Sequence, residues 1–383
     1  MKTRCLPQRG FSLIELMVAI TIGLVLMLTI STMVARQESI RRGVTSGNDL
    51  TSNSAYAAFA LERELRSAGS GFSQDATAHY GCPLAVSRDN AQLLPATRAF
   101  PAPFNTIPQA FALAPLIVHP GAGANGSDVI ALAVGNSGLG ESVMQIAPNS
   151  AAAGQVSLTN TIGLRGGDLV LLSQAGQRCM LQQVTANFAG DEAPLLTFGG
   201  NYAANVIAGT SLLDFGAIGD ARAVVLGNVA GNLPRLQLIG VANDATLVSY
   251  DVLQTTGANV AALVEGVVDL RVRYGFDNTG NTGPTAVVNS WVAPTDANFT
   301  PAALQAQTVA SVAQLRSILA VRVGLVLRSD LAERTTVTPE DLTMFASLPN
   351  GLQHTYNVPA GTTNQRYRVV EFTVSLRNVR FSR

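Results

Sequence analysis

The stretch from Phe11 to Val34, FSLIELMVAITIGLVLMLTISTMV, holds a single charged residue, Glu15, in 24 positions. As a helix rising 1.5 Å per residue it spans about 36 Å, enough to cross a bilayer with some tilt. The ten residues before it carry Lys2, Arg4 and Arg9 and no acid. By the positive-inside rule that end stays in the cytoplasm, and the bulk of the chain lies beyond the inner membrane. A cleavable secretory signal fits less well. Its apolar core runs about 7–15 residues and ends at a small-residue site, whereas this one is longer and exits through Thr32-Met33-Val34-Ala35-Arg36. A plain one-pass anchor explains the length but not Glu15. An acid inside a membrane helix costs roughly 2.5–3.5 kcal/mol at mid-bilayer, and it marks a partner.

Gly10-Phe11-Ser12-Leu13-Ile14-Glu15-Leu16 resembles the processing site of type IV prepilins and type II secretion pseudopilins. The resemblance implies cleavage between Gly10 and Phe11 by a membrane-embedded prepilin peptidase, methylation of the new N-terminal Phe11, and a place for Glu15 as fifth residue of the mature chain. The chemistry then accounts for Glu15. Cleavage creates an ammonium at the start of an apolar helix, and a carboxylate four residues along neutralises it, in its own chain or in a neighbour. Pairing between subunits would set the axial register while apolar faces pack in a filament core. The positive end of the helix dipole favours the carboxylate in either case.

Downstream, helical patterning continues to about Gly69. Ile40, Val44, Leu50, Phe59, Leu61, Leu65 and Ala68 approximate a three-to-four-residue spacing, and ALERELRSAGSG is a good helix former stopped by glycines. Gly43, Gly47, Asn48 and Asn53 weaken the run and predict a local break. Beyond Gly69 the pattern turns to strands. Segments 128–134, 168–173, 179–185, 223–226 and 247–253 read as strands. In 270–276, 321–328 and 370–377 apolar and polar residues alternate. Period two with one polar face predicts an antiparallel sheet, one side packed on the spine helix and the other wet. The fold class expected is therefore α+β: a long N-terminal hydrophobic spine helix on an antiparallel β-sheet head. Thr300-Pro301 opens one helix through AALQAQTVASVAQLRSIL, and 84–127 and 277–299 read as long loops.

FALERELRSAGSGF with Gly81-Cys82, GDLVLLSQAGQRCMLQQVTA, VVDLRVRYGFDNTGNTG, ILAVRVGLVLRS and the terminal RVVEFTVSLRN are similar to blocks of PilW-type minor pilins. The organisation implied is a leader (1–10), a membrane and filament-core half of the spine (11–35), an exposed half (36–69) and a β-rich periplasmic head (70–383). Cys5 would leave with the leader. Cys82 and Cys179 remain, and two cysteines in an oxidising compartment pair, closing a loop of about 97 residues; the alternative is two separate buried thiols.

Little points to catalysis. Lys2 is the only lysine, so no Schiff-base or P-loop lysine follows it. There is no G-x-S-x-G and no H-E-x-x-H. His79, His119 and His354, beside turn-forming neighbours, read as exposed loop residues. Asp277-Asn-Thr-Gly-Asn-Thr-Gly283 is rich in oxygen ligands, yet Asp277 is its only acid, so a hairpin turn is expected rather than a calcium site. No cofactor is expected. Charged residues make up 13% of the chain, and removing the leader leaves 22 basic against 25 acidic residues, so nucleic acid is not an expected partner.

The resemblance implies a structural, non-enzymatic role: a minor pilin of the initiating or tip complex of a type IV pilus. The bulky head suits a few copies at a filament end. Implied partners are the prepilin peptidase, other minor pilins and the major pilin, a tip adhesin, and the inner-membrane assembly platform. A J-like pseudopilin of a type II secretion system shares the N-terminal chemistry. A membrane-tethered periplasmic enzyme or receptor is the third class, and it would need convergent polar groups in a pocket.

Overall fold

The computed structural model describes residues 12–137, 143–217, 219–254, 259–279 and 287–380. One helix, Leu13–Ser67, runs without interruption for 55 residues, about 80 Å at 1.5 Å per residue. Its first half touches nothing: every described residue from Leu13 to Val34 is exposed. Its second half docks on the head through Ser46, Leu50, Ser54, Ala57, Leu61, Leu65 and Ala68, spaced by three and four as one helix face requires.

That stripe corrects the expected one. Ile40, Val44 and Phe59 point outward, at 67%, 58% and 61% exposure. Small residues face inward instead, and the helix continues through Gly43 and Gly47. A Cβ on Gly43 would lie 3.4 Å from Arg366 Nη2 and 3.6 Å from Glu333 Oε1, so this glycine admits the Arg366–Glu333 ion pair close to the spine. The expected break is a place of close approach.

Among the described residues three larger sheets build the head, with three two-stranded ones beside them. A four-stranded one runs in the order Ser290–Val292, Val267–Phe276, Ile318–Ala332, Gln365–Ser375. A five-stranded one runs Ala261–Glu265, Thr246–Asp251, Arg235–Val241, Val129–Val134, Leu116–His119. A six-stranded one runs Ala91–Leu94, Leu84–Arg88, Cys179–Gln183, Asp168–Ser173, Arg222–Asn228, Val143–Gln145. Within these sheets the pairings are antiparallel except Leu84–Arg88 with Cys179–Gln183. The α+β architecture is as expected.

Period two explains how the layers divide. In Ile318–Ala332, Val321, Val323, Leu325 and Leu327 join the large core that the spine also lines. In Asp168–Ser173, Leu169 and Leu171 enter that same core while Val170 and Leu172 enter a second one, so this strand is apolar on both faces.

The face of the four-stranded sheet expected to be wet is covered. A hairpin, Asp341–Met344 with His354–Asn357, and its connecting loop close over Val268 and Val326 with Met344, Phe345 and Leu348. Polar side chains hold this flap. Phe345 N–H donates to Glu371 Oε1 at 2.6 Å, and Arg322 binds the other oxygen at 2.7 Å. Arg273 and Arg322 lie over the Phe345 ring at 5.0 and 5.9 Å.

Other local expectations also change. The region 84–127 contains three strands, and Ser290–Val292 lies inside 277–299. The helix predicted from Thr300 is two, Pro301–Leu304 and Val309–Ser317. Gln307 adopts φ +52° between them, and Thr308 starts the second as a fresh N-cap, accepting from Ser311 N–H at 3.0 Å.

Candidate assembly site on the spine helix

Gly10 and Phe11, the expected cleavage pair, lie outside the described residues. Ser12 precedes the first helical turn, and Glu15 sits in that turn. Ser12 N–H donates to Glu15 Oε2 at 3.3 Å, the return contact of a capping box. The carboxylate is thereby folded back to the helix start, one peptide away from Phe11. It occupies the positive end of the helix dipole. The apolar half that follows is long enough to cross a membrane, and none of it packs on the head.

The other end of the spine is clamped. Glu64, 7% exposed, accepts from Arg235 Nη1 of the five-stranded sheet at 2.6 Å and pairs with Arg63 at 3.0 Å. Asn378 Nδ2, near the C-terminus, donates to the carbonyls of Ser67 and Ala68 at 3.3 and 3.0 Å, satisfying acceptors at the end of the helix. Sequence reading missed both contacts. Glu64 lies on the docking face beside Leu61, Leu65 and Ala68, and an acid on an apolar stripe was the available signal.

Cys82 and Cys179 form a disulfide with Cα atoms 5.8 Å apart. It joins the segment leaving the spine to the six-stranded sheet, at the parallel pairing where Leu84 faces Cys179. A buried carboxylate holds the other sheets together. Asp128 accepts from Gly121 N–H at 3.1 Å and Val272 N–H at 2.9 Å. Burial pushes its pKa up, against those two hydrogen bonds and nearby Arg271 and Arg273.

The three histidines are not loop residues on the surface. His79 ends the short helix Ala76–His79, is buried, and neither ring nitrogen has a hydrogen-bond partner among the described residues. Burial lowers its pKa to about 4, with Asp75 opposing and Arg222 adding to the shift. His119 is buried on Leu116–His119, and burial lowers it to about 4 as well. His354 faces Asp269 at 3.2 Å from the flap.

The Asp277 carboxylate closes a turn, accepting from Thr279 N–H at 3.1 Å and Thr279 Oγ1 at 2.5 Å. The strands flanking this loop pair as a hairpin, Phe276 opposite Ser290. Positions 280–286 of the loop lie outside the described residues. Among the described residues no group of three or more His, Cys, Asp or Glu stands ready for a metal. An open cleft of about 430 Å³ is lined by Asn136, Arg165, Asp168, Asn228 and Asn232. Its carboxylate is already engaged: Asp168 accepts from Arg165 N–H at 2.8 Å and Asn228 Nδ2 at 2.7 Å.

Two family models match. The prokaryotic N-terminal methylation motif covers residues 6–31, across the Gly10–Phe11 bond and Glu15. Type IV pilus-assembly protein W, the PilW family, covers residues 236–378. Together these matches support a PilW-type type IV pilin. No curated protein and no solved structure matches it. The PilW region runs from the strand that carries Arg235 through the four-stranded sheet and its flap to Asn378. It therefore contains the surface on which the exposed half of the spine docks. The two matches meet the molecule at its two functional ends: a free apolar rod with an acid at its start, and the platform that grips the rod's other half. The same matches support a minor pilin in a pilus-assembly context.

Proposed function

We propose that this minor pilin enters the inner membrane with its head in the periplasm, loses residues 1–10 to a prepilin peptidase, is methylated at Phe11, and joins the initiating or tip complex of a type IV pilus. The observation that carries this reading is the rod from Leu13 to Val34, apolar, exposed on all sides, and headed by Glu15 folded back toward the new terminus. Such a rod is stable only in lipid or among similar rods. The PilW match favours the pilus over a secretion pseudopilus. The large head suits a filament end, where it meets other minor pilins, the major pilin and a tip adhesin, while the assembly platform extracts the subunit.

The test is a deletion strain complemented with wild type or Glu15→Ala. Deletion should abolish surface pili and twitching while leaving exoenzyme secretion intact. Glu15→Ala should be processed normally yet restore few pili. Loss of secretion with normal piliation would refute the pilus assignment, and full rescue by Glu15→Ala would refute the role given to the carboxylate.

A further inference from the structure

The apolar run ends at Val34, and Leu13–Val34 covers about 33 Å, close to the thickness of a bilayer's hydrocarbon core. The next turns carry Arg36, Arg41 and Arg42. At 100° per residue they lie about 140° and 240° around the axis from Arg36, on three sides of the helix. They start about 3, 10 and 12 Å beyond the apolar run, and long arginine side chains reach back to a head-group layer about 5–8 Å deep.

The head reaches the same level. Across a small cleft of about 70 Å³, Ala35, Glu38 and Arg42 face Ala332, Glu333 and Arg334, at the end of the long strand Ile318–Ala332. The acids here are largely committed: Glu38 pairs with Arg42 at 3.0 Å, and Glu333 pairs with Arg366. Arg36, Arg41 and Arg334 are exposed and have no carboxylate partner among the described residues; Asp330, exposed close by in sequence, only tempers their charge. Leu331, Ile40 and Val44 expose apolar side chains in the same zone, as an interfacial surface does.

Cations on the outward flank run against the usual bias, which gathers them on the cytoplasmic side. We propose that Arg36, Arg41 and Arg334 form a collar that seats the head on the phosphates of anionic phospholipids while the subunit waits in the membrane. Guanidinium suits this role because its planar donors match phosphate oxygens. An acidic face on a neighbouring subunit is the other conceivable partner. Lipid is favoured because Arg36 and Arg41 stand about 140° apart around the helix, wider than one flat protein face would cover, and because their level follows directly on the apolar run. The proposal rests on the reading that Leu13–Val34 spans the membrane.

The full chain is placed in nanodiscs of phosphatidylcholine alone, or with about one third phosphatidylglycerol, and amide exchange is followed over residues 331–340. Exchange should slow about tenfold or more in the anionic discs, since each arginine near an anionic surface contributes roughly a fivefold effect. The slowing should disappear in 0.5 M salt and in the triple variant Arg36→Gln, Arg41→Gln, Arg334→Gln. Equal exchange in both lipids overturns the collar, and protection that survives high salt does the same. The salt arm uses wild type, so a poorly folded variant cannot mask the answer. Failure of the chain to enter any disc overturns the spanning reading itself, and is told apart because it appears before any exchange is measured.

Discussion

His79 places an imidazole where no described residue offers it a hydrogen bond, and the consequence is a pH dependence. Its pKa falls from 6.5 to about 4 on folding, with burial the largest cause. Above pH 6.5 both folded and unfolded chains keep it neutral, and it costs nothing through charge. As pH falls from 6.5 toward 4, the unfolded chain takes up a proton that the folded chain refuses, so stability declines, by up to about 3 kcal/mol. His119, lowered to about 4 by burial, acts in the same direction. Asp251, raised by burial to about 6, acts oppositely, since below pH 6 the folded state gains a proton first; Asp128 is shifted in that direction too. The His79 contribution is therefore read as a difference. His79→Leu should narrow the stability gap between pH 7.5 and pH 4.5 by about 2–3 kcal/mol relative to wild type, measured by denaturant unfolding of the detergent-solubilised chain. The sequence could not show this burial. Tyr80, Pro120 and Gly351 look like turn punctuation, and only the packing of distant strands takes His79 and His119 out of water. Glu15 is the opposite case, because its meaning comes from neighbours within one helical turn, and those are adjacent in sequence.

Among the elements, the spine and the alternating strands were legible and the surfaces between them were not. Period two in Val321–Leu327 sorts side chains to two faces without further information. What covers the second face depends on the flap at 341–357, whose strands are four residues each, too short for the alternation in Asp341-Leu342-Thr343-Met344 to stand out. The spine's inward face was misjudged for a related reason. Ile40, Val44 and Phe59 look like core residues, yet the head approaches the helix along Ser46, Ser54 and Ala57, where small side chains allow close contact. Two substitutions test these contacts. Glu64→Ala removes the partner of Arg235, and with Arg235 partly solvated the expected loss is about 1–2 kcal/mol, seen as a lower melting temperature. Glu64→Gln should recover part of it, because the hydrogen bond survives without the charge. A Cβ on Gly324 would lie 2.9 Å from both Met344 Sδ and Phe345 Cζ. Met344 can yield, but Phe345 is fixed beneath two arginines. Gly324→Val should therefore lift the flap at a cost of about 1–3 kcal/mol, visible as faster amide exchange across 341–357 with the spine contacts unchanged.

For the molecule as a whole, one half of an 80 Å rod is free and the other is held, and the holding has to survive whatever force extracts the free half from lipid. Asn378 closes the end of the helix from the C-terminus, Arg235 grips it from the five-stranded sheet, and the Cys82–Cys179 bridge ties the segment leaving it to the six-stranded sheet. The bridge differs from the other two in what it encloses. Between its cysteines lie strands of both the five- and six-stranded sheets, so it limits how far those layers separate when the head unfolds. The chain-entropy view gives roughly 4–5 kcal/mol for a loop this long, and removal of native bridges typically costs about 2–5 kcal/mol. Cys82→Ala with Cys179→Ala should lower head stability by about 3 kcal/mol and leave the Glu64–Arg235 clamp in place, so that the first region to open is the six-stranded sheet rather than the spine. Amide exchange separates the two. Protection should fall across 168–183 while that of 57–68 holds, and wild type in reductant should reproduce the pattern. Equal loss in both regions would mean that the spine depends on the bridge for its seat, and unchanged exchange in both would mean that the bridge adds nothing to the layers it connects.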